Sequence, residues 1–446
     1  MEYTERISNQ SILGIVQRVC NYVDPRLMDH GLRVSYLVWS MLAPLGTYTD
    51  EELRDICFIS IIHDIGAYKT EEINRMLDFE MDTIWEHSIY GYLFIKYFSP
   101  LRDKASSVMI HHVPWNELEQ QDGIDDQMKE IVSVLFLADR IDVSMEVEHC
   151  TWEESLRTIR AEAGTRFSPK AAALADNLNL TLPLMTAIAK DDRYHHALAD
   201  IPLTQTQITD YLKMIIFSID FRSRHTVTHT VTTTSISYEL ACLAGLDETM
   251  RDKIVCGALL HDVGKIGIPV EILEFPGRLS PQAMAIMRTH VDITDRIFDG
   301  EIEETVRRIA LRHHEKMNGT GYPLGLKGED LTIPERIVAI ADIISALSGT
   351  RSYKEAYGKD RIVSILTEMK GDGLLDPDIT DTAILNFDLI MGHTQALCDP
   401  LLALYHRIQE EYQELLRAPS LADKLHLALH KDDAADFEGA TVSLFN

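Results

Sequence analysis

The sequence predicts an all-α protein: two tandem helical bundles followed by a helical C-terminal extension. Three observations carry that expectation. Apolar residues recur at helical spacing wherever the patterning is strong, and no regular strand alternation runs over a useful length. A set of histidines and aspartates in the first half returns in the second half at a nearly constant offset. A length of 446 residues gives room for about two or three domains, each with its own core.

The elements follow in chain order. The first half places His30 in "MDHGLRVSYL", His63-Asp64 in "IIHDIGAYK", His87 in "IWEHSIYGY", His111-His112 in "MIHHVPW" and Asp139 in "FLADRID". "DDRYHHALADIPL" breaks the helical patterning and sets a boundary near residue 200. His229 lies in threonine-rich "VTHTVTTTSISYELA", whose modest helix propensity tertiary packing can override. Ile254, Val255, Ala258 and Leu259 form a buried helix face that finishes on His261-Asp262, where Gly264, Gly267 and Pro269 end it. His290 follows in "MRTHVDI", and "EETVRRIALRHH" lines Val306, Ile309 and His313 along one stripe, with His314 next. "IPERIVAIADIISAL" starts with Pro334 in its first turn and carries Asp342 among Ile337, Ala341 and Ile344. "LLALYHRIQEEYQELL" is an amphipathic helix that could pair with a second copy in a homodimer, and an acidic tail closes the chain. The expected domains are 1–200, 201–395 and an extension at 396–446.

From His30/His229 through His63/His261, His87/His290 and His111/His313 to Asp139/Asp342, the offsets are 199, 198, 203, 202 and 203 residues. "IRAEAGTRFSP" and "MKGDGLLDP" extend the repeat. One histidine on an apolar face is ordinarily a hydrogen-bonded core residue, and His195, His196, His393, His406, His426 and His430 are read that way. A register of histidines built around two His-Asp pairs is different. A carboxylate in an apolar helix must be paired, protonated or bound to a cation. Imidazoles with carboxylates suit borderline metals, and seven ligand-type residues exceed one tetrahedral site, which favours two ions clamping a phosphoryl group.

The net charge of −28, from 42 basic against 70 acidic residues, argues against a DNA-binding or anionic-membrane surface. An anionic ligand must be held by a local cluster of cations or metals. Six scattered cysteines with no CxxC pair, an N-terminus unlike a signal peptide, and no apolar run near the ~20 residues of a membrane span lead us to expect a cytoplasmic protein.

The second half resembles an HD-GYP domain of the HD metal-dependent phosphohydrolase superfamily. "HDVGKIGIP", "RTHV", "RHHEKMNGTGYPLGLKG", "IPERIVAIADIISAL" and "TRSYK" follow that family's order and spacing over roughly 205–395. The first half resembles an HD domain of the same lineage without the GYP loop. The resemblance implies a bacterial phosphodiesterase that linearises a cyclic dinucleotide, mainly cyclic di-GMP and in some members cyclic GMP–AMP. It implies two or three divalent ions in the second domain, commonly iron or manganese, and ions in the first as well.

Carried over to this chain, the resemblance puts one metal among His229, His261, Asp262 and Asp342. Asp262 bridges to a second, held by His290, His313 and His314. His225 stands near the place of a third-ion ligand. Lys265 is implied at the scissile phosphate, Arg351 and Lys354 at substrate phosphates, and Tyr322 of the Gly321-Tyr322-Pro323 loop near a base. In the first domain the corresponding ligands are His30, His63, Asp64, His87, His111, His112 and Asp139, but Ala67 stands in place of Lys265, with Lys69 two residues on. Asn318 and Ser345 depart from the family's usual aspartates, and both are expected around the ligands. The expected function is hydrolysis of cyclic di-GMP. The alternatives are another phosphoester substrate, with the first domain as a second active site, or a receptor that binds without turnover. The first domain could otherwise regulate its neighbour or only pack.

Overall fold

The computed structural model describes residues 9–22, 28–68, 85–178, 180, 183–199, 202–220, 228–275, 277–349 and 357–430. His225, Arg351 and Lys354, together with Lys69 and the acidic tail, lie outside them. The described residues form helices and turns with no strand; the two β-bridges, Ala163 with Phe167 and Asn318 with Lys327, are isolated. Among the described residues no helix is long and apolar enough to cross a membrane. The chain gathers into two compact units, one built on Ile12–Met214 with Ile408–Ala434, the other on Ile215–Arg407.

In the first unit, helix Asp50–Ile62 starts at a capping box in which Thr49 and Glu52 satisfy each other's backbone N–H groups. It packs on the buried face of His30–Leu42, which in turn packs on Asp126–Asp142, while Glu86–Phe98 packs on the turn Ile65–Tyr68 that follows His63-Asp64. The segment around 192–199, where helical patterning fails in the sequence, is itself a helix, Asp192–Ala199. Tyr194 anchors it, donating its hydroxyl to Ser35 Oγ at 2.9 Å.

In the second unit, Ile236, Leu240, Ile254, Ala258, Ile309, Ile337, Ala341 and Ile344 share one core with Ile362, Leu366 and Leu375. They come from helices His229–Leu243, Glu248–Leu260, Glu304–Leu311, Ile333–Ser348 and Lys359–Gly371, with Leu375 from the turn that follows the last. Asp247 caps Glu248–Leu260 through the Met250 N–H, and Thr332 with Glu335 forms a box that spans Pro334.

The C-terminal segment behaves differently from a free extension. Helix Phe387–Arg417 runs through Pro400. Its early residues belong to the second unit, where Thr394 Oγ1 meets Ser235 Oγ at 2.9 Å and Cys398 Sγ meets Thr232 Oγ1 at 3.3 Å. From Ile408 onward it belongs to the first unit. There Glu411 accepts from Lys96 at 2.6 Å and from Tyr97 at 2.7 Å, and Tyr412 stacks on Tyr90 with centroids 3.9 Å apart. The apolar stripe that the sequence offered to a second copy is thus covered by this chain's own residues.

Candidate metal centres

Helix ends and inward helix faces deliver the ligand-type side chains in both units. In the second, His229 opens helix His229–Leu243, His261 caps the C-terminus of Glu248–Leu260, and Asp262 follows it. His290 lies in Pro281–Phe298, His313 and His314 follow Glu304–Leu311, and Asp342 lies in Ile333–Ser348. The first unit repeats this with His30, His63-Asp64, His87, His111-His112 and Asp139. Glycine permits the approach. A Cβ on Gly264 would lie 1.9 Å from the His290 carbonyl oxygen, and one on Gly66 would lie 2.0 Å from that of His87. Only a residue without a side chain lets the His-Asp turn sit against the neighbouring helix.

Asp262 is the hinge of the second set. Its Oδ2 faces His229 Nε2 at 3.2 Å and His261 Nε2 at 3.1 Å, while its Oδ1 faces His290 Nε2 at 3.5 Å and His313 Nε2 at 3.9 Å. Asp342 closes the group, with Oδ1 3.3 Å from His229 Nε2 and Oδ2 3.6 Å from His314 Nδ1. Asp64 does the same in the first set, its Oδ2 3.5 Å from His63 and 3.8 Å from His30, its Oδ1 3.6 Å from both His87 and His111. Asp139 lies 3.4 Å from His30 Nε2 and 3.7 Å from His112 Nδ1. Each unit therefore holds two adjoining donor groups shared by one aspartate.

The donor chemistry fits divalent metal. His261, His290 and His313 direct Nδ1 to the carbonyls of Ala258, Met287 and Ala310 at 2.6–2.7 Å, which leaves Nε2 as the free lone pair. His63 and His111 do likewise on Ser60 and Val108. Buried Nε2 atoms of His63, His111, His229 and His261, with Oδ1 of Asp64 and Asp262, lack any hydrogen-bond partner. Such atoms are costly to bury unless a cation meets them. Burial pushes His63 down to about 4 and His313 to about 3, and it holds His112, His290 and His314 below the usual range. Neutral imidazole is the form that binds metal. Burial opposes charge on His30 and His229 too, but their aspartates carry them up to about 10 and about 9.

The units differ around these ligands. His30 Nδ1 donates to Asp142 at 2.7 Å, and Asp142 is gripped by Arg33 through Nε and Nη2. His229 meets Ser345 Oγ at 2.9 Å instead. Arg140, 1% exposed, binds Asp139 Oδ2 at 2.8 and 3.0 Å. In the second unit the nearby cation is Lys265, paired with Asp262 Oδ2. Asn318 turns to Thr320, 2.7 Å away, and makes no bond to the ligands.

Above the second centre opens a cavity of about 600 Å³, lined by His229, Lys265, His290, His314, Tyr322 and Asp342 among others. Its GYP wall is templated by Glu315, 2% exposed, whose carboxylate accepts from the N–H groups of Leu324, Gly325 and Leu326 at 2.7–3.1 Å. The Tyr322–Pro323 peptide bond is cis. Tyr322 lies 4.6 Å from the His314 ring and 4.7 Å from the Arg288 guanidinium. Arg33, Asp142, Arg140, Arg288 and Glu315 escaped sequence reasoning. Of these only Glu315, a charge set directly behind paired histidines, had a local signal.

Residues 213–379 match the model of an HD domain. A 3′3′-cGAMP-specific phosphodiesterase of Vibrio cholerae is 26% identical over 382 residues, covering 80% of this chain and 87% of that protein. A second such enzyme from that organism is 36% identical over 185 residues, and RpfG, a cyclic di-GMP phosphodiesterase response regulator of Xanthomonas campestris, is 40% identical over 143. This chain spans only 35% and 38% of those two relatives. The crystal structure of V-cGAP3, a cyclic GMP–AMP phosphodiesterase from V. cholerae, superimposes with a TM-score of 0.54 at 20% identity, over 84% of this chain and 97% of that one.

Proposed function

We propose that this chain, a tandem HD-type protein of the metal-dependent phosphohydrolase superfamily, acts through its second unit as a phosphodiesterase on a cyclic dinucleotide. The observation that carries the reading is Asp262, which presents one oxygen to each of two imidazole groups, of which His229, His290 and His314 line a nucleotide-sized cavity. Divalent ions held by His229, His261, Asp262, His290, His313, His314 and Asp342 would activate water and neutralise charge on the phosphoryl group. The protein's own groups do the rest. Lys265, on the cavity wall beside Asp262, binds a non-bridging phosphate oxygen. Met284, Met287 and Leu279 exclude bulk water from the same wall. Tyr322 walls the pocket where a base would lie. The bond broken is P–O3′; water adds to phosphorus and the 3′ oxygen leaves with a proton.

Cyclic di-GMP is the substrate expected from the motifs. A second reading, 3′3′-cyclic GMP–AMP, is favoured by the relative that aligns with both halves of this chain. The first unit's donor groups support metal binding there also, with Ala67 in place of the lysine. The test is full-length protein loaded anaerobically with Fe²⁺ or Mn²⁺ and given cyclic di-GMP, 3′3′-cyclic GMP–AMP, linear dinucleotides and nucleoside monophosphates, with products read by chromatography. Turnover of a cyclic dinucleotide is expected, falling by about 10²-fold or more in His261→Ala and Asp262→Ala. Unchanged turnover in those variants contradicts the assignment, and nucleotide returned intact by metal-replete protein identifies a receptor.

A further inference from the structure

One wall of the cavity is built by residues outside the matched HD region, which ends at 379. Met391, Thr394, Gln395, Cys398, Asp399 and Leu402 all line it. Their spacing is one continuous face of helix Phe387–Arg417. That face is held in place, because Thr394 and Cys398 bond Ser235 and Thr232 of the helix that begins with His229. Next to these anchors stand two polar side chains one turn apart, Gln395 after Thr394 and Asp399 after Cys398, both exposed.

We propose that Asp399 reads guanine and makes the site prefer a guanine-containing dinucleotide; the inference rests on the function proposed above. A carboxylate in a pocket for an anionic ligand is repelled by phosphate and must meet donors. The Watson–Crick edge of guanine offers two adjacent donors, N1–H and the N2 amino group, which a carboxylate accepts side by side. Adenine offers there one donor and one acceptor, so its N1 would face a carboxylate oxygen lone pair to lone pair. A site built to accept those bonds rejects the base that lacks them. Gln395, with one donor and one acceptor, tolerates either purine beside it. Asparagine in place of Asp399 supplies one donor and one acceptor, the complement of adenine.

The experiment compares wild type and Asp399→Asn, as full-length Mn²⁺-loaded protein, on cyclic di-GMP, 3′3′-cyclic GMP–AMP and cyclic di-AMP. Metal content is measured in parallel to show that the centres are intact. Wild type is expected to turn over cyclic di-AMP least well. Asp399→Asn is expected to lose roughly 10- to 100-fold in kcat/KM on cyclic di-GMP, mostly through KM, while cyclic di-AMP is unchanged or improved. An equal loss on all three substrates, as from a contact to ribose or a distorted helix, overturns the inference, and so does an unmoved ratio. If wild type takes none of the three, the proposed function falls and this inference with it; if wild type cleaves and only the ratio stays fixed, this inference falls alone.

Discussion

His63 and His313 show what the centres cost the protein without metal. Burial drives them to about 4 and about 3, whereas in the unfolded chain they take up protons near 6.5. Between those limits the unfolded state binds more protons, so stability falls as pH falls below about 6.5. His30 and His229 act with the opposite sign. Raised to about 10 and about 9, they contribute stability that is complete below about 6.5 and is lost as pH rises through those values. The Tm of chelator-treated protein, followed by circular dichroism from pH 4 to pH 10, is therefore expected to peak near neutrality. A flat profile from pH 4 to 6.5 would contradict the burial of these imidazoles. The ligand-type side chains that each unit gathers were legible in the sequence because their register repeats. Arg33 and Arg140 were not, since a lone arginine on a helix has no period and Arg33 meets Asp142 across 109 residues.

Each His-Asp turn depends on one backbone approach. Gly264→Ala would drive a Cβ into the His290 carbonyl and the Thr294 backbone, neither of which can yield without moving helix Pro281–Phe298. The variant is expected to lose metal from the second unit and most cyclic dinucleotide turnover, while Gly66→Ala empties the first unit instead. Metal analysis of the two purified variants checks this, and wild-type content in both would refute it. Helix Ile333–Ser348 was legible from Pro334 and its apolar period, and the end of Glu248–Leu260 from the glycines and proline that follow it. The helix Asp192–Ala199 was hidden because its local pattern is weak and Tyr194 fixes it by tertiary contact. The destination of the C-terminal helix was equally hidden, since an amphipathic stripe does not say which surface covers it.

Across the whole molecule, the tail of the chain completes the first unit. Lys96 and Glu411 are both nearly buried, so Glu411→Ala strands a charge and is expected to destabilise that unit by about 3 kcal/mol or more in denaturant titrations. A loss within about 0.5 kcal/mol would mean the segment is only loosely held. The central claim is that one architecture gathers two adjoining cation seats in each of two bundles, and that among the described residues only the second sets a lysine beside its shared aspartate and adds a GYP wall. Metal stoichiometry by mass spectrometry, on wild type beside His63→Ala and His261→Ala, tests it most directly. The account predicts roughly four ions per chain, one for each donor group, with each variant losing about two and keeping those of the other unit. Wild type with no more than one bound ion, or variants that keep the full complement, would contradict it.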